Sequence, residues 1–185
     1  MNFLIRGLSL LLLFFCTSLT IAESTTPGKV IAGWVEKISF HDNNFITKAK
    51  LDSGAKTSSI FAKDIKKYML NDAPWVDFTL VLRGENDTHH QIPMSAPLSR
   101  RVKIKNHDGD HDRRIVVEIS FCFDGRLHEA EFTLADRSEY IYPVLLGRSF
   151  LKDVAVIDPD ATFLTKATCK PSETINFKQL EKTDE

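Results

Sequence analysis

The stretch Lys48-Ala49-Lys50-Leu51-Asp52-Ser53-Gly54-Ala55-Lys56-Thr57-Ser58-Ser59-Ile60 constrains the fold more than any other part of the chain. A strand-like run, Phe45 to Leu51, ends in Asp52-Ser53-Gly54 and resumes at once with small and β-branched residues. An acid at a strand end, followed by a hydroxyl and a glycine, suits a tight loop that presents a carboxylate. The glycine lets backbone come close to whatever the acid acts on, and the serine hydroxyl can fix the loop by a hydrogen bond. Alone, such a tripeptide is an ordinary turn. A second stretch, Tyr142-Pro143-Val144-Leu145-Leu146-Gly147-Arg148-Ser149-Phe150-Leu151, gives it a counterpart: a short apolar strand running through glycine into the start of a helix.

Around these two stretches the chain reads as many short strands joined by turn signals, hence mainly β and a single domain. Val30 to Val35 is a first strand, and Asp42-Asn43-Asn44 supplies turn chemistry before the strand that delivers Asp52. Thr57 to Phe61 is β-rich, whereas Lys63 to Leu70 reads as a helical turn or two. Trp75 to Leu82 is strongly β-prone. Arg83 to His90 is polar and reads as a hairpin tip, while Pro93 and Pro97 suit an extended arm over residues 83 to 98. Ile115 to Phe123 and Leu127 to Leu134 make the clearest hairpin, joined by Asp124-Gly125, a favoured two-residue turn. Ser149 to Lys152 begins a short helix, and Val154 to Ile157 returns as a strand.

Both ends differ in character from this centre. Arg6 is followed by an apolar run from Leu8 to Phe15, broken only by Ser9, and by Thr20-Ile21-Ala22 with small residues at the recognition positions. That pattern predicts a secretory signal over residues 1–22, cut after Ala22, and a periplasmic or secreted protein. The apolar run is too short for a membrane anchor, and bulky Phe14-Phe15 before Cys16 do not suit lipidation. Residues 23–29 form a flexible lead, 30–168 the domain, and 169–185 a polar tail. The signal carries one arginine and no acid, so the remainder is one unit more acidic than the formal −1 of the whole chain. Such a balance lacks the basic excess of nucleic-acid binders, and no second stretch could span a membrane. Cys122 and Cys169 remain after cleavage, either as a disulfide or as two buried thiols.

Taken together, the two organising stretches resemble those of retropepsin-like aspartic peptidases. That family pairs a hydrophobic strand entering Asp-Thr/Ser-Gly-Ala with a later hydrophobic-hydrophobic-Gly-Arg turn. A bacterial branch often labelled "ATP-dependent zinc protease" is closer. Its features are matched in order by Gly33-Trp34-Val35-Glu36, the Asp52-to-Ser58 run, an arginine-rich middle, Thr133-Leu134-Ala135-Asp136-Arg137 and Pro143-to-Arg148. The resemblance spans roughly residues 30 to 166. It implies a closed β-barrel equal to one half of an acid-protease fold, with one or two short helices, and a hairpin flap over the substrate, for which residues 83 to 98 occupy the right order. It also implies a peptide or protein substrate, Asp52 as catalytic residue, and Ser53, Gly54, Ala55, Leu146, Gly147 and Arg148 around the loop and groove.

Aspartic catalysis needs two carboxylates facing one water and sharing a proton, because two like charges that close cannot both ionise cheaply. This chain holds one Asp-Ser-Gly and is short for two lobes, so the second Asp52 is expected from a second copy about a two-fold axis. Lys56 departs from the retroviral pattern, where an acid at that position pairs with the arginine of the Gly-Arg turn. Arg148 is therefore expected to find another acid, such as Asp64 or Asp136, or to face solvent. No cofactor or metal is expected: zinc-ligand spacing is missing, adjacent His89 and His90 should point to opposite strand faces, and His107 with His111 sits in a polar turn. Asp108, Asp110 and Asp112 lack the glycine placement of a calcium loop, and no phosphate-binding loop is present. Arg100-Arg101 and Arg113-Arg114 read as solvated strand ends in preference to a site for acidic groups.

The sequence thus predicts a periplasmic homodimeric aspartic endopeptidase. Two other readings stay open: a non-catalytic peptide- or partner-binding module on the same fold, and a metal-dependent amidase or peptidase.

Overall fold

The computed structural model describes residues 28–40, 45–84, 86–105 and 111–169. The expected signal, most of the lead, the Asp42-Asn43-Asn44 turn, the loop bearing His107, Asp108 and Asp110, and the tail beyond Cys169 lie outside the described residues. Ten strands and one helix follow in order: β1 (Val30–Phe40), β2 (Phe45–Asp52), β3 (Ser58–Leu70), β4 (Ala73–Arg83), β5 (His89–Pro97), β6 (Arg100–Lys105), β7 (His111–Phe123), β8 (Arg126–Ala135), β9 (Val144–Gly147), α1 (Arg148–Val154) and β10 (Ala155–Thr162).

Six of the strands close on themselves. β1 and β2 are antiparallel, β2 and β9 parallel, β9 and β3 antiparallel, β3 and β8 parallel, and β8 and β7 antiparallel. Pairing of Ser39 with Cys122 between β1 and β7 shuts the ring. The result is a closed six-stranded mixed barrel in a single domain, the architecture expected from the motifs. β10 lies parallel on β1 outside the ring, and β6 extends it beyond β7. Closure leaves few strand edges to pair wrongly.

The hairpin at Asp124-Gly125 forms as read, with φ of 51° and 70° at its two turn residues and Phe123 opposite Arg126. Residues 63–70 are strand, not helix. After Phe61 the chain leaves β8, bulges at Asp64 with φ of 54°, and pairs from Lys66 to Leu70 with Asp77 to Ala73. Asn71 and Asp72, at φ of 47° and 60°, close that second hairpin. The local sequence does not alternate cleanly, so the extended state is imposed by cross-strand pairing with β4, which overrides local propensity. β4 itself alternates: Val76, Phe78, Leu80 and Leu82 are buried and join one core with barrel residues such as Ile38, Ile60, Phe121, Phe132 and Leu146.

The 83–98 segment is an arm of that β3–β4–β5 ribbon. β5 pairs with β4 over its whole length, from His89 opposite Arg83 to Pro97 opposite Trp75. Its prolines are tolerated because β5 pairs on one side only. The turn of this arm sits against the far end of β2 from Asp52: Thr47 Oγ1 donates to the Arg83 carbonyl at 2.7 Å, and Phe45 meets His90 edge-on. An overhang of Asp52 by this turn is thereby replaced by packing at the other end of the strand.

Among the long-range ties that hold residues 163–169 to the barrel, two stand out. Cys122 on β7 and Cys169 are joined as a disulfide spanning 47 positions. Glu36, fully buried on β1, accepts hydrogen bonds from the backbone N–H groups of Leu164 and Thr165 and from the Thr165 hydroxyl.

Candidate active site

Asp52 is the last residue of β2, aligned with Gly147 of β9 in the parallel pair; Leu51 stands opposite Leu146. The two organising stretches are therefore neighbours in space. Leu51 and Leu146 are buried and anchor both strand ends in the core, while the residues just beyond them turn out of it. Gly147 is required by a close approach: a Cβ there would lie 2.6 Å from the Thr57 carbonyl carbon and 2.9 Å from the Ser58 nitrogen. The Gly147 N–H donates to Ser58 Oγ at 3.0 Å. The first amides of α1 then bind the loop: Arg148 N–H donates to the Ala55 carbonyl at 2.8 Å and Ser149 N–H to the Lys56 carbonyl at 2.9 Å. The Gly-Arg turn is thus a clamp on the Asp-Ser-Gly loop, built mostly from backbone.

Within the loop, Asp52 Oδ1 accepts from Gly54 N–H at 2.9 Å and from Ala55 N–H at 3.2 Å. Oδ2 faces Lys50 Nζ at 3.4 Å. Partial burial works to raise the Asp52 pKa, but the Gly54 amide, the Lys50 charge and the Ala55 amide outweigh it, and the net shift is downward. In a single chain the group is an oriented, ionised carboxylate with one oxygen fixed by backbone. A carboxylate so held can accept a proton from a bound water.

The structure brings Asp52, Ser53, Gly54, Ala55, Leu146, Gly147 and Arg148 together, as their motifs suggest. Arg148 takes neither Asp64 nor Asp136. Its Nη1 donates to the Ser53 carbonyl at 2.6 Å from an exposed position, so a backbone oxygen replaces the acid. Ser53 serves this loop through its carbonyl. The basic cluster is divided: Arg100 makes a fork with Glu131, with contacts of 2.6 to 2.9 Å, and Arg114 pairs with Asp112 at 2.6 Å. His90 turns to Thr88 and Phe45, while His89 lines a cavity elsewhere. Among the described residues no three His, Cys, Asp or Glu side chains are grouped as metal ligands.

Two contributors escape the motif reading. Ser58 supplies the hydroxyl that fixes Gly147, although its place in the Lys-Thr-Ser run gave a signal of sorts. Lys50 sits two residues before Asp52 and therefore on the same strand face, a relation that period-two spacing could have revealed.

Comparison with known proteins agrees with this geometry. The family described as "RimB-like: Retropepsin-like aspartic endopeptidase RimB" matches residues 31–168. Proteins named "Probable alpha-L-glutamate ligase" from Shewanella pealeana and Desulfotalea psychrophila are 33% identical over 116 and 134 residues, covering 63% and 71% of this chain. The matched part is 25% and 28% of those ligases, so the chain spans about a quarter of their length. A crystal structure of Lpg0085, a protein of unknown function from Legionella pneumophila, superposes with a TM-score of 0.62 at 29% identity, covering 74% of this chain and 98% of that one. With a family match across nearly all the described residues, on a closed barrel that clamps Asp52 beside Gly147, the chain belongs to the RimB-like family of retropepsin-like aspartic endopeptidases.

Proposed function

We propose that the protein is an aspartic endopeptidase in which two copies of Asp52, one from each subunit of a homodimer, activate a single water. The observation that carries the reading is the clamped Asp52 carboxylate, oriented by the Gly54 and Ala55 amides at the end of a buried strand. One carboxylate of such a pair takes a proton from water as it attacks the peptide carbonyl. The other, kept protonated by its neighbour's charge, donates to the carbonyl oxygen. In a single chain Lys50 stands at the outer oxygen; in the proposed dimer the partner's carboxylate competes for that place.

The test is subunit mixing. Wild-type protein mixed with excess Asp52→Asn protein should lose activity in proportion to heterodimer formation, because each heterodimer holds one acid. Activity that tracks the amount of wild-type chain alone, whatever is mixed with it, would rule out a shared dyad.

The substrate class is drawn from the relatives. They are named for α-L-glutamate, and a domain similar to a quarter of such a protein has glutamate-containing peptides as its first candidates. The signal over residues 1–22 makes the periplasm the proposed compartment, and the Cys122–Cys169 link suits an oxidising one. Protein recovered from that compartment should begin at Glu23; an intact Met1 on cytoplasmic protein would overturn export.

A further inference from the structure

Asp52 has one oxygen to spare. Oδ1 is held by the Gly54 and Ala55 amides, so Oδ2 is the oxygen left to meet a water or to carry a proton. Lys50 Nζ stands 3.4 Å from that oxygen. The placement follows from the strand: residues two apart in β2 share a face, so Lys50 and Asp52 project together. Val35 of β1 and Leu145 of β9 flank Lys50 in register, and its ammonium reaches along the strand to the carboxylate. Lys48, further back on that face, turns instead to the Phe163 ring, 5.9 Å from its centre.

Other charges approach Asp52 from several elements. Lys56 belongs to its own loop and is exposed, and Arg148 of α1 is tied to the Ser53 carbonyl. Arg137, which follows β8, feels the Asp52 charge, while Arg114 of β7 is engaged by Asp112. Among the described residues, Lys50 is the cation within ion-pair distance of the carboxylate. Both side chains of the pair are partly open to solvent, 42% and 26%, and such pairs add little to folding. The effect falls on protonation instead. A proton on Oδ2 would set an O–H donor against an ammonium that has only donors to offer. Ammonium and proton thus compete for one oxygen, and while Lys50 is in place Asp52 stays ionised.

We propose that Lys50 is a positioning residue that acts through Asp52 as a charge latch. Seated on Oδ2, it keeps the shared proton off the carboxylate pair; swung into solvent, it lets the proton on. This role rests on the dyad reading and sets the pH range in which the dyad works. Two carboxylates brought together share a proton because their charges repel. Two copies of Lys50 come with them, so the four charges already balance and the demand for a proton weakens. The flexible lysine stem can leave for water, whereas the backbone-held carboxylate cannot follow it. Hydrolysis at neutral pH is therefore restrained by the seated ammonium, and an uncharged side chain in its place lifts the restraint.

The test reads the proton first and the reaction second. Aspartate carboxyl carbons labelled with carbon-13 are titrated by NMR, the Asp52 signal being assigned by its absence in Asp52→Asn. Lys50→Met should raise the Asp52 pKa by about one pH unit, the scale of removing an opposite charge beside a part-exposed acid. Lys50→Arg, which keeps the charge, should stay near the wild-type value. With a tetraglutamate peptide at saturation, Lys50→Met should move the alkaline limb of kcat to higher pH by a similar amount, so the rate at neutral pH rises several-fold. If Lys50→Met does not fold, Lys50→Gln carries both measurements. An unchanged or lowered Asp52 pKa in the folded uncharged variant, or an arginine variant that shifts as methionine does, would overturn the latch. So would an alkaline limb that stays in place, or a kcat lowered at every pH, which would make the ammonium a participant in the chemistry. A raised Asp52 pKa in Lys50→Met, with no hydrolysis by wild-type protein at any pH, would instead remove the peptidase reading and leave the hold of Lys50 on the Asp52 proton standing.

Discussion

Asp52→Asn is expected to lower the rate of peptide hydrolysis by at least ~10³-fold, the scale of removing acid–base chemistry from a transition state. The substitution keeps the side chain's shape and one oxygen for the Gly54 and Ala55 amides, so the loop, the barrel and the dimer should persist. Purified variant should therefore show the wild-type sedimentation profile and the wild-type unfolding curve alongside the lost rate. The pH profile gives a second readout. In a single chain the Asp52 pKa lies below its ordinary value, so one carboxylate is ionised through most of the accessible range. When two copies face each other, the second proton is held more tightly, and the apparent pKa values belong to the pair. The rate should then fall as pH rises through the upper value, where the pair loses its shared proton, and fall again at acid pH when both are protonated. A rate that climbs steadily through neutral pH would contradict a shared-proton dyad. Near-normal activity of Asp52→Asn would make Asp52 a turn residue and no more.

The second large effect is on stability, at Glu36. This fully buried carboxylate also accepts from the Gly33 amide at 2.6 Å, so four donors converge on it: three backbone N–H groups and the Thr165 hydroxyl. Truncation in Glu36→Ala leaves these donors inside the protein without their acceptor and opens a space where the side chain stood. Each stranded buried donor costs ~1–3 kcal/mol and such losses are not additive, so a total of about 4 kcal/mol is expected. Glu36→Gln preserves the volume but turns one acceptor into an NH₂ donor facing N–H groups, and about half that loss should follow. Urea unfolding reads both values as shifts of the midpoint. Because Leu164 and Thr165 hang on this carboxylate and Cys169 follows soon after, the released segment stays tethered by the disulfide. Hydrogen exchange should rise first at residues 163–168. A Glu36→Ala protein as stable as wild type would mean that this network contributes nothing net.

The Glu36 network also marks where reading by sequence ends. Glu36 was legible as part of a Gly-Trp-Val-Glu motif, but three of its four donors stand 128 and 129 positions away. Arg148 is similar: the lysine at position 56 excludes the familiar acid pairing, and residue type alone points only to other acids such as Asp64 or Asp136. The structure answers with the Ser53 carbonyl, 95 positions back along the chain. A carbonyl belongs to every residue, so no residue type could have announced it. The cavity that His89 lines is assembled from β3, β4, β5 and the 137–143 segment. Its lining comes together only after the 63–70 run, which reads locally as helical, is pulled straight by its pairing with β4.

What the sequence determined by itself is local. Turn chemistry placed the Asp124-Gly125 hairpin and the Asp52-Ser53-Gly54 loop, because such positions depend on φ, on small side chains and on residues a few steps away. Strand-rich patterning set the fold class for the same reason. Tertiary structure alone decided the barrel's closure at Ser39 and Cys122, the extended path of residues 63–70, the backbone partner of Arg148 and the cavity beside His89. Each of these rests on contacts between residues far apart in sequence, whose formation depends on the whole sheet closing and whose free energy can exceed a local preference of a few tenths of a kcal/mol to ~1 kcal/mol per residue.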